Sequence, residues 1–264
     1  MTFVPMKKYL IYSLALMALF ACQPPRPAQQ VETQWVSLFD GKSLEGWTIR
    51  IVGKELNENF GNTFRVDSGL LKIRYDQYES FDGQFGALYY NTPFTNYRLR
   101  VEYRFVGQTA PGAPEWGYRD SGVQYHGQSP QAMEAGQSFP VCLEYNLLGG
   151  NGTDERPNGQ ICVPGTTVET GAGRNTSFCT MPDVRRTFPG DQWVTLEIEV
   201  QDTVISHYAN GELLLTYYNP RYDSTHAIAR TLITNDNDRI AGGYISLQSN
   251  SQPIDFRKIE ILEY

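Results

Sequence analysis

Glu144 is difficult to explain as a purely structural residue. In an extended strand it shares one face with Cys142 and Asn146, whereas Leu143 and Tyr145 point to the other face. A carboxylate between a thiol and an amide on an inner strand is costly to bury unless it is used or paired. We therefore predict that Glu144 is a general base. The alternative is a structural carboxylate bonded to a neighbouring arginine.

A second strand-like run contributes an imidazole and another carboxylate. His126 shares a face with Gly122 and Gln124 if the strand is regular. We expect His126 to act as an acid or hydrogen-bond donor, and Gln124 to contact substrate. Asp120 would orient His126 or bind a divalent cation such as Ca²⁺ or Mg²⁺. The structural alternatives are an imidazole at the end of a strand and an aspartate that caps a turn.

Aromatic side chains lie close to this run. Trp116 and Tyr118 belong to a Gly- and Pro-rich loop just before Asp120, and their large flat faces suit stacking on sugars. We predict both as substrate contacts, the alternative being rings that anchor their own loop. Asp154 and Glu155 offer hard oxygen ligands for Ca²⁺. Their spacing fits no defined calcium loop and favours a solvated polar loop, so we predict no metal or cofactor site there.

Alternating hydrophobicity identifies most of the chain as β-strand. From Tyr97 to Val106 apolar and polar residues alternate, which is the period of a strand with one buried face. Asn210-Gly211 supplies the two positive φ angles of a type I′ turn and should join a hairpin. No stretch predicts a long amphipathic helix. These patterns predict an all-β fold of antiparallel sheets, either a sandwich or a jelly roll.

The remaining predicted strands are shorter or lie near the C-terminus. By contrast, the segment from Gly149 to Pro189 is predicted to be long and irregular, and such loops are usually functional or cross-linked. The predicted strands are 70–75, 87–90, 121–126, 141–148, 193–200, 204–209, 212–218, 243–248 and 254–264.

The N-terminus has the pattern of an exported protein. Lys7 and Lys8 precede an apolar stretch from Tyr9 to Phe20. This stretch is shorter than the roughly 20 apolar residues of a membrane-spanning helix, so it indicates a signal peptide. It ends in Leu19-Phe20-Ala21-Cys22, which resembles the lipobox of bacterial lipoproteins.

The predicted processing divides the chain into three parts. We expect a signal peptide over residues 1–21, a lipid-modified Cys22 that begins a Pro-rich tether over 22–34, and a single domain over 35–264. The lipid would anchor the protein in the cell envelope. Gln23 is not an aspartate, which favours the outer membrane over retention in the inner membrane.

Composition restricts the partners and the redox state. The formal net charge of −7 becomes −9 when Lys7 and Lys8 leave with the signal peptide, which disfavours nucleic acid as a partner. Cys162 and Cys179 bracket a Gly- and Thr-rich loop, and in an oxidising compartment we pair them. Cys142 is then a buried free thiol. A zinc site is the alternative, but no Cys-x-x-Cys spacing supports it.

Several motifs in chain order resemble the 3-keto-disaccharide hydrolase domain family, also described as 3-keto-glucoside 1,2-lyase and 3-keto-glucal hydratase domains. The resemblance covers residue 35 to the C-terminus. It implies a concanavalin A-like jelly-roll sandwich of two antiparallel sheets, with sugar held on a concave sheet. The matching segments are Phe39–Trp47, Asp120–Val123, Leu143–Asn146, the paired cysteines Cys162 and Cys179, Gly190–Trp193, Asn210–Glu212, Gly243–Gln248 and Phe256–Ile259.

The resemblance also carries over individual residues, with departures. Gln248, Arg257 and Asn146 are implied as substrate contacts, although Asn146 replaces a family glutamine. Their positions favour the structural alternatives for two of them, an edge hydrogen bond for Gln248 and a surface residue with a half-buried stem for Arg257. The family asparagine is Asp120 in this chain. The family arginine at the end of that strand is His126, and the histidine that follows the last Leu-Gln is Asn250.

The resemblance implies a hydrolase or lyase that cleaves 3-keto-glycosides. A ketone at C3 acidifies the hydrogen at C2, so a base can remove it while the group at C1 leaves by elimination. Hydration of the unsaturated sugar would complete a net hydrolysis. The alternative is a carbohydrate-binding lipoprotein without catalysis. A laminarinase-type glycanase is disfavoured because its Glu-x-Asp-x-x-Glu strand is missing.

Overall fold

A computed structural model of the chain describes residues 1–3, 34–171, 173–175 and 177–264. The predicted signal peptide, Cys22 and nearly all of the tether lie outside the described residues. Within the described residues no helix is long and apolar enough to cross a membrane. All elements named below belong to the compact unit Thr33–Tyr264.

The described part of the chain is built from strands, with one short α-helix, α1 (Ala227–Leu232), and 3₁₀ turns at Phe60–Asn62, Glu115–Gly117 and Pro130–Ala132. The strands are, in chain order, β1 (Val36–Ser37), β2 (Trp47–Ile51), β3 (Phe64–Asp67), β4 (Leu70–Ile73), β5 (Gly86–Tyr90), β6 (Tyr97–Phe105), β7 (Asp120–Gly127), β8 (Leu143–Gly150), β9 (Gln160–Cys162), β10 (Thr166–Thr170), β11 (Gly173–Asn175), β12 (Cys179–Thr180), β13 (Phe188–Pro189), β14 (Val194–Gln201), β15 (Val204–Ala209), β16 (Glu212–Tyr222), β17 (Tyr244–Ser249) and β18 (Ile254–Glu263).

These strands form two sheets. Among the described residues the larger sheet has ten strands, in the order β11-β10-β16-β15-β14-β6-β18-β4-β3 with β1 paired to β18. The smaller sheet has eight, in the order β12-β9-β8-β7-β17-β5-β2 with β13 paired to β8. The pairing is antiparallel except for the short β13–β8 contact. The predicted all-β, jelly-roll fold of two antiparallel sheets is confirmed.

The core lies between the two sheets and follows the alternation seen in the sequence. In β6 every second residue is buried, so Leu99 and Val101 are fully enclosed whereas Arg98 and Arg100 point outward. On β8, Tyr145 faces the same core. Burial of an aliphatic side chain such as Leu99 or Val101 stabilises the folded state by roughly 1.5–3 kcal/mol. The opposite face of the eight-stranded sheet is therefore left to carry Glu144 and its neighbours.

Two local predictions are confirmed and one is wrong in part. Asn210 and Gly211 have φ angles of 48° and 82°, as a type I′ turn requires. Cys162 and Cys179 form a disulfide across the β9–β12 pair, and Cys142 is a buried free thiol. The segment predicted to be irregular contains β9 to β13. These strands escaped sequence analysis because they have five residues or fewer, too few for a period to emerge.

Candidate active site

A cavity of about 240 Å³ opens on the face of the eight-stranded sheet that points away from the ten-stranded sheet. Its lining combines polar side chains from the middle strands with apolar groups from the surrounding loops. The lining residues are Trp116, Asp120, Phe139, Glu144, Asn146, Cys162, Pro164, Phe178, Cys179, Gln248 and Asn250.

Strand register brings the polar side chains together. On β7 and β8, Gln124 lies opposite Glu144 and Gly122 lies opposite Asn146. On β17, Ser246 lies opposite Gln124. Residues directly opposite in an antiparallel pair project to the same face. Three neighbouring strands therefore present one continuous polar floor.

Gly122 determines where the carboxyl group of Glu144 lies. A Cβ atom at position 122 would be 2.5 Å from Glu144 Cδ and 2.9 Å from its Oε1. Any side chain at this position would displace the carboxyl group. The φ angle of Gly122 lies in a region that any residue can adopt, so the backbone conformation does not require a glycine. The close approach of the Glu144 carboxyl group does require one.

Two amide groups orient the Glu144 carboxyl. Gln124 Nε2 and Gln248 Nε2 each donate to Glu144 Oε2 at 3.0 Å. The amide of Gln124 is itself fixed, because Ser246 Oγ donates to its Oε1 at 2.8 Å. With Oε2 held by two donors, Oε1 is the oxygen that remains for a ligand.

Asp120 is a second carboxyl group on the same floor, two residues from Gly122 along β7 and so roughly 7 Å away along the strand. Asn250 Nδ2 donates to Asp120 Oδ1 at 2.9 Å. Burial raises the pKa of Asp120 to about 7, and the Asn250 hydrogen bond and the charge of Arg156 oppose that shift only in part.

Burial also raises the pKa of Glu144, to about 8. The hydrogen bond from Gln124 opposes this shift, and the negative charge of Asp120 adds to it. Both carboxyl groups therefore titrate near neutral pH. In such a pair the proton losses belong to the pair rather than to either residue alone.

Three buried amide oxygens in the cavity lining have no hydrogen-bond partner among the described residues. They are Asn146 Oδ1, Gln248 Oε1 and Asn250 Oδ1. A buried acceptor without a partner costs about 1–3 kcal/mol. This cost is recovered when a ligand donates to it, so the floor is suited to a molecule with several hydroxyl groups.

Aromatic groups and the disulfide form the rim of the cavity. Trp116 is 54% exposed and stacks on Phe85, with ring centroids 5.8 Å apart and planes 8° apart. Phe85 also contacts Phe139 at 5.3 Å. On the other side, Cys162 pairs directly opposite Glu144, and its partner Cys179 follows Phe178, which is 61% exposed.

His126 does not lie in this cavity, contrary to the sequence prediction. The β7–β17 register shifts between Gln124 and Gly127, and His126 has a φ angle of 49°. This extra residue, a β-bulge, ends the alternation and turns the ring into the core, 6.0 Å from the ring of Tyr97. Burial lowers its pKa to about 4, and neither ring nitrogen has a hydrogen-bond partner within the described residues.

Three further predicted contacts, Gln124, Tyr118 and Arg257, require correction. Gln124 uses both amide atoms on Glu144 and Ser246, so it positions the carboxyl rather than contacting substrate. Tyr118 lies beneath the guanidinium groups of Arg119 and Arg156, and it lines a separate cavity beside Asp154.

Arg257 belongs to β18 of the ten-stranded sheet, where it pairs with Glu102 and covers the ring of Trp193. It is therefore not brought to the cavity, which opens on the other sheet. The resemblance placed it in the correct strand, but that strand is in the wrong sheet for contact with substrate.

Three apolar residues of the site, Phe139, Pro164 and Phe178, were not predicted from the sequence, although they line the cavity. The one available signal was the disulfide, because pairing Cys179 with Cys162 brings Phe178 beside the strand next to Glu144.

Among the described residues, no group of three or more His, Cys, Asp or Glu side chains is placed so that it could hold a metal ion. Asp154 accepts from Asn151 and Thr153, and Glu155 pairs with Arg185. Both carboxylates thus serve contacts within their own surroundings.

The chain matches the family model for the 3-keto-alpha-glucoside-1,2-lyase-like domain over residues 34–262. It therefore belongs to that family, and the resemblance inferred from the sequence motifs is confirmed. A comparison with curated proteins gives no match.

Solved structures with the same fold include two from Parabacteroides distasonis ATCC 8503, each provisionally named a glycosyl hydrolase. Both are 15% identical to the chain, with TM-scores of 0.51 and 0.52. The matches cover 87% and 88% of this chain and 94% and 100% of the other. A galectin-like protein from Bacillus subtilis matches at 9% identity and a TM-score of 0.50, over 83% of this chain and 90% of its own. These likenesses show that the chain shares the fold of these proteins.

Replacing Glu144 by glutamine should stabilise the protein at alkaline pH. The folded-state pKa of about 8 lies above that of an unfolded glutamate. Stability present at low pH is therefore lost as pH rises through 8, because a buried carboxylate becomes charged. At pH 9 we expect Glu144→Gln to exceed wild type by at least about 1.4 kcal/mol, the equivalent of one pKa unit.

Urea unfolding at pH 6 and pH 9 measures this difference. The matched control is Glu263→Gln, since Glu263 is an exposed residue at the end of β18. The difference between Glu144→Gln and wild type should shrink at pH 6. An equal difference at both pH values would mean that ionisation of Glu144 does not oppose folding.

Proposed function

We propose that this protein is a hydrolase or lyase that cleaves 3-keto-glycosides. The observation that carries the proposal is the Glu144 carboxyl group, buried over Gly122 and held by two amides in a cavity that contains a second carboxyl group. A binding module has no need of two desolvated carboxyl groups with raised pKa. An acid–base enzyme does need them.

The proposed reaction begins with removal of a proton. Glu144 in its ionised form takes the C2 proton through Oε1, and the electron pair of the C2–H bond forms an enolate with the C3 ketone. Collapse of the enolate forms the C1–C2 double bond and breaks the bond from C1 to the leaving oxygen. Asp120 in its protonated form then gives its proton to that oxygen. Addition of water to the double bond completes a net hydrolysis.

In the free protein the pKa of Asp120, about 7, is below that of Glu144, about 8, so the single negative charge of the pair lies mainly on Asp120. The form with Glu144 ionised and Asp120 protonated is the minor one of the two, and it is the reactive form. The base role is assigned to Glu144 because its carboxyl group is held by two amide donors, which stabilise that form. Asp120 takes the acid role that sequence analysis gave to His126, whose ring lies in the core. The amide of Asn146 lines the cavity beside Glu144 and is the proposed donor to the enolate oxygen.

The direct test is turnover of 3-keto-α- and 3-keto-β-glucosides in deuterated water. We expect cleavage of one anomer or both. Hydration of the double bond should place deuterium at C2, whereas elimination alone should give the unsaturated sugar, which has no hydrogen at C2. Loss of the base should lower kcat/KM by about 10²–10⁴-fold in Glu144→Gln, and Glu263→Gln should match wild type.

Two results would contradict this proposal in different ways. Full turnover by Glu144→Gln would remove the base assignment. A wild-type protein that binds sugars but cleaves no 3-keto-glycoside would instead support the carbohydrate-binding alternative.

The pH dependence follows from the two carboxyl groups. Below about pH 7 both are protonated and the base is lost, whereas above about pH 8 both are ionised and the acid is lost. The profile of kcat/KM should therefore be bell-shaped, with its maximum between these values.

Asp120→Asn separates the two limbs of that profile. The variant should lose the alkaline limb because its acid is gone. Its remaining acid limb should report the ionisation of Glu144 alone, at a pKa below about 8 because the Asp120 charge that raises it is gone. An unchanged bell in Asp120→Asn would mean that another group supplies the proton.

We also propose that the protein acts in the cell envelope, anchored through lipid on Cys22 and favouring the outer membrane. The lipobox-like sequence and the Pro-rich tether support this. Mass spectrometry of the membrane fraction should find acylated Cys22 at the mature N-terminus, and Cys22→Ser should release the protein into the soluble fraction. A mature protein with unmodified Cys22 would exclude the anchor.

A further inference from the structure

The cavity has a polar floor and an apolar rim, and this division bears on which molecules it accepts. All of its polar lining side chains come from the β7, β8 and β17 region, namely Asp120, Glu144, Asn146, Gln248 and Asn250. The rest of the lining consists of three aromatic rings, Pro164 and the disulfide. Apart from the indole N–H of Trp116, the rim therefore offers no side-chain hydrogen-bonding partner for the hydroxyl groups of a second sugar.

The aromatic rings lie on both sides of the strand that carries Glu144. Phe178 adjoins β12 at one edge of the eight-stranded sheet, two strands away from β8. Trp116 stacks on Phe85, which precedes β5 on the other side of β8 and β7. An aglycone that extends from a sugar bound at Glu144 would thus contact an aromatic ring on either side of β8.

The backbone that carries two of these rings, Trp116 and Phe178, is held in place. Gly117, next to Trp116, packs so closely that a Cβ there would be 2.5 Å from Ser251 Oγ. The backbone oxygen of Phe178 accepts from Val163 N at 2.8 Å, and the next residue is held by the disulfide. A backbone that is already held loses little entropy when a ligand covers the ring that it carries.

Size and charge exclude other ligands. A cavity of about 240 Å³ lies below the roughly 300–1,000 Å³ of typical drug-sized ligand sites, so it suits one sugar unit rather than a long glycan. Its charged lining residues are Asp120 and Glu144, both acidic, which disfavours anionic sugars. What remains is a neutral monoglycoside whose aglycone rests on the rim.

We infer that the site is built for 3-keto-glycosides with an aromatic aglycone, held by Phe178 on one side and by Trp116 and Phe139 on the other. This inference rests on the proposed function, in which the floor binds the oxidised sugar. It adds that the leaving group is a planar apolar alcohol rather than a second sugar.

The test compares three 3-keto-glucosides of the reactive anomer, with benzyl alcohol, methanol or glucose as leaving group. All three release an alcohol oxygen, so differences reflect binding of the aglycone more than its ability to leave. The benzyl compound should show a kcat/KM about tenfold above the other two, the size expected for one or two aromatic contacts. Phe178→Ala and Trp116→Ala should each reduce the benzyl-to-methyl ratio.

The control is Leu213→Ala, which removes an exposed apolar side chain of β16 in the ten-stranded sheet and should preserve the ratio. A disaccharide substrate that equals or exceeds the benzyl compound would overturn the inference and leave the proposed function standing. So would Phe178→Ala and Trp116→Ala variants that are folded and keep the full benzyl preference.

Failure of the proposed function gives a different result, because no 3-keto-glucoside would then be cleaved. In that case calorimetric binding of unoxidised benzyl and methyl glucosides decides the inference. Tighter binding of the benzyl compound, lost in Phe178→Ala, would support an aromatic aglycone site. Equal binding of the two compounds would overturn it.

Discussion

The close approach of the Glu144 carboxyl group to Gly122 is the constraint on which the rest of the site depends. Antiparallel register places Glu144 on β8 beside β7, but only a residue without a side chain lets the carboxyl lie across the neighbouring strand. In that position it comes within reach of Gln248 on β17. One missing Cβ thus connects three strands into a single polar floor. The same approach brings Glu144 toward Asp120, which couples the protonation of the two groups.

Much of this arrangement was predictable, because strands obey a period that can be followed in the sequence. Alternation identified β6, β7, β8 and β14 within a few residues, and it placed Glu144 and Asn146 on one face. His126 shows where the method fails. A single bulge residue with positive φ reverses the side on which a side chain emerges, and composition carries no clear mark of it. The regular alternation of β7 ends at Tyr125, one residue before His126.

Apart from Trp116, the rim could not have been predicted in the same way. Its rings come from three separate loops, and they meet only because β12 lies at one edge of the sheet and β5 lies near the other. Sheet order is a property of tertiary structure, whereas periodicity gives only the face of each strand. Gln124 illustrates a related limit. Its face was correct, but its role depends on Ser246 and Glu144, which compete with any ligand for its amide.

Floor and rim are linked by the exclusion of water. The carboxyl groups of Glu144 and Asp120 have raised pKa because they are desolvated. A carboxylate that has lost its hydration is a stronger base, and in the proposed reaction the interactions with the developing enolate would be stronger where the local dielectric is low. An apolar aglycone resting against Phe178 and Trp116 would remove the remaining solvent from above the floor. The aglycone, which is the leaving group in the proposed reaction, would therefore itself help to exclude water from the carboxyl groups. This gives a physical reason for an aromatic rim around the proposed acid–base pair.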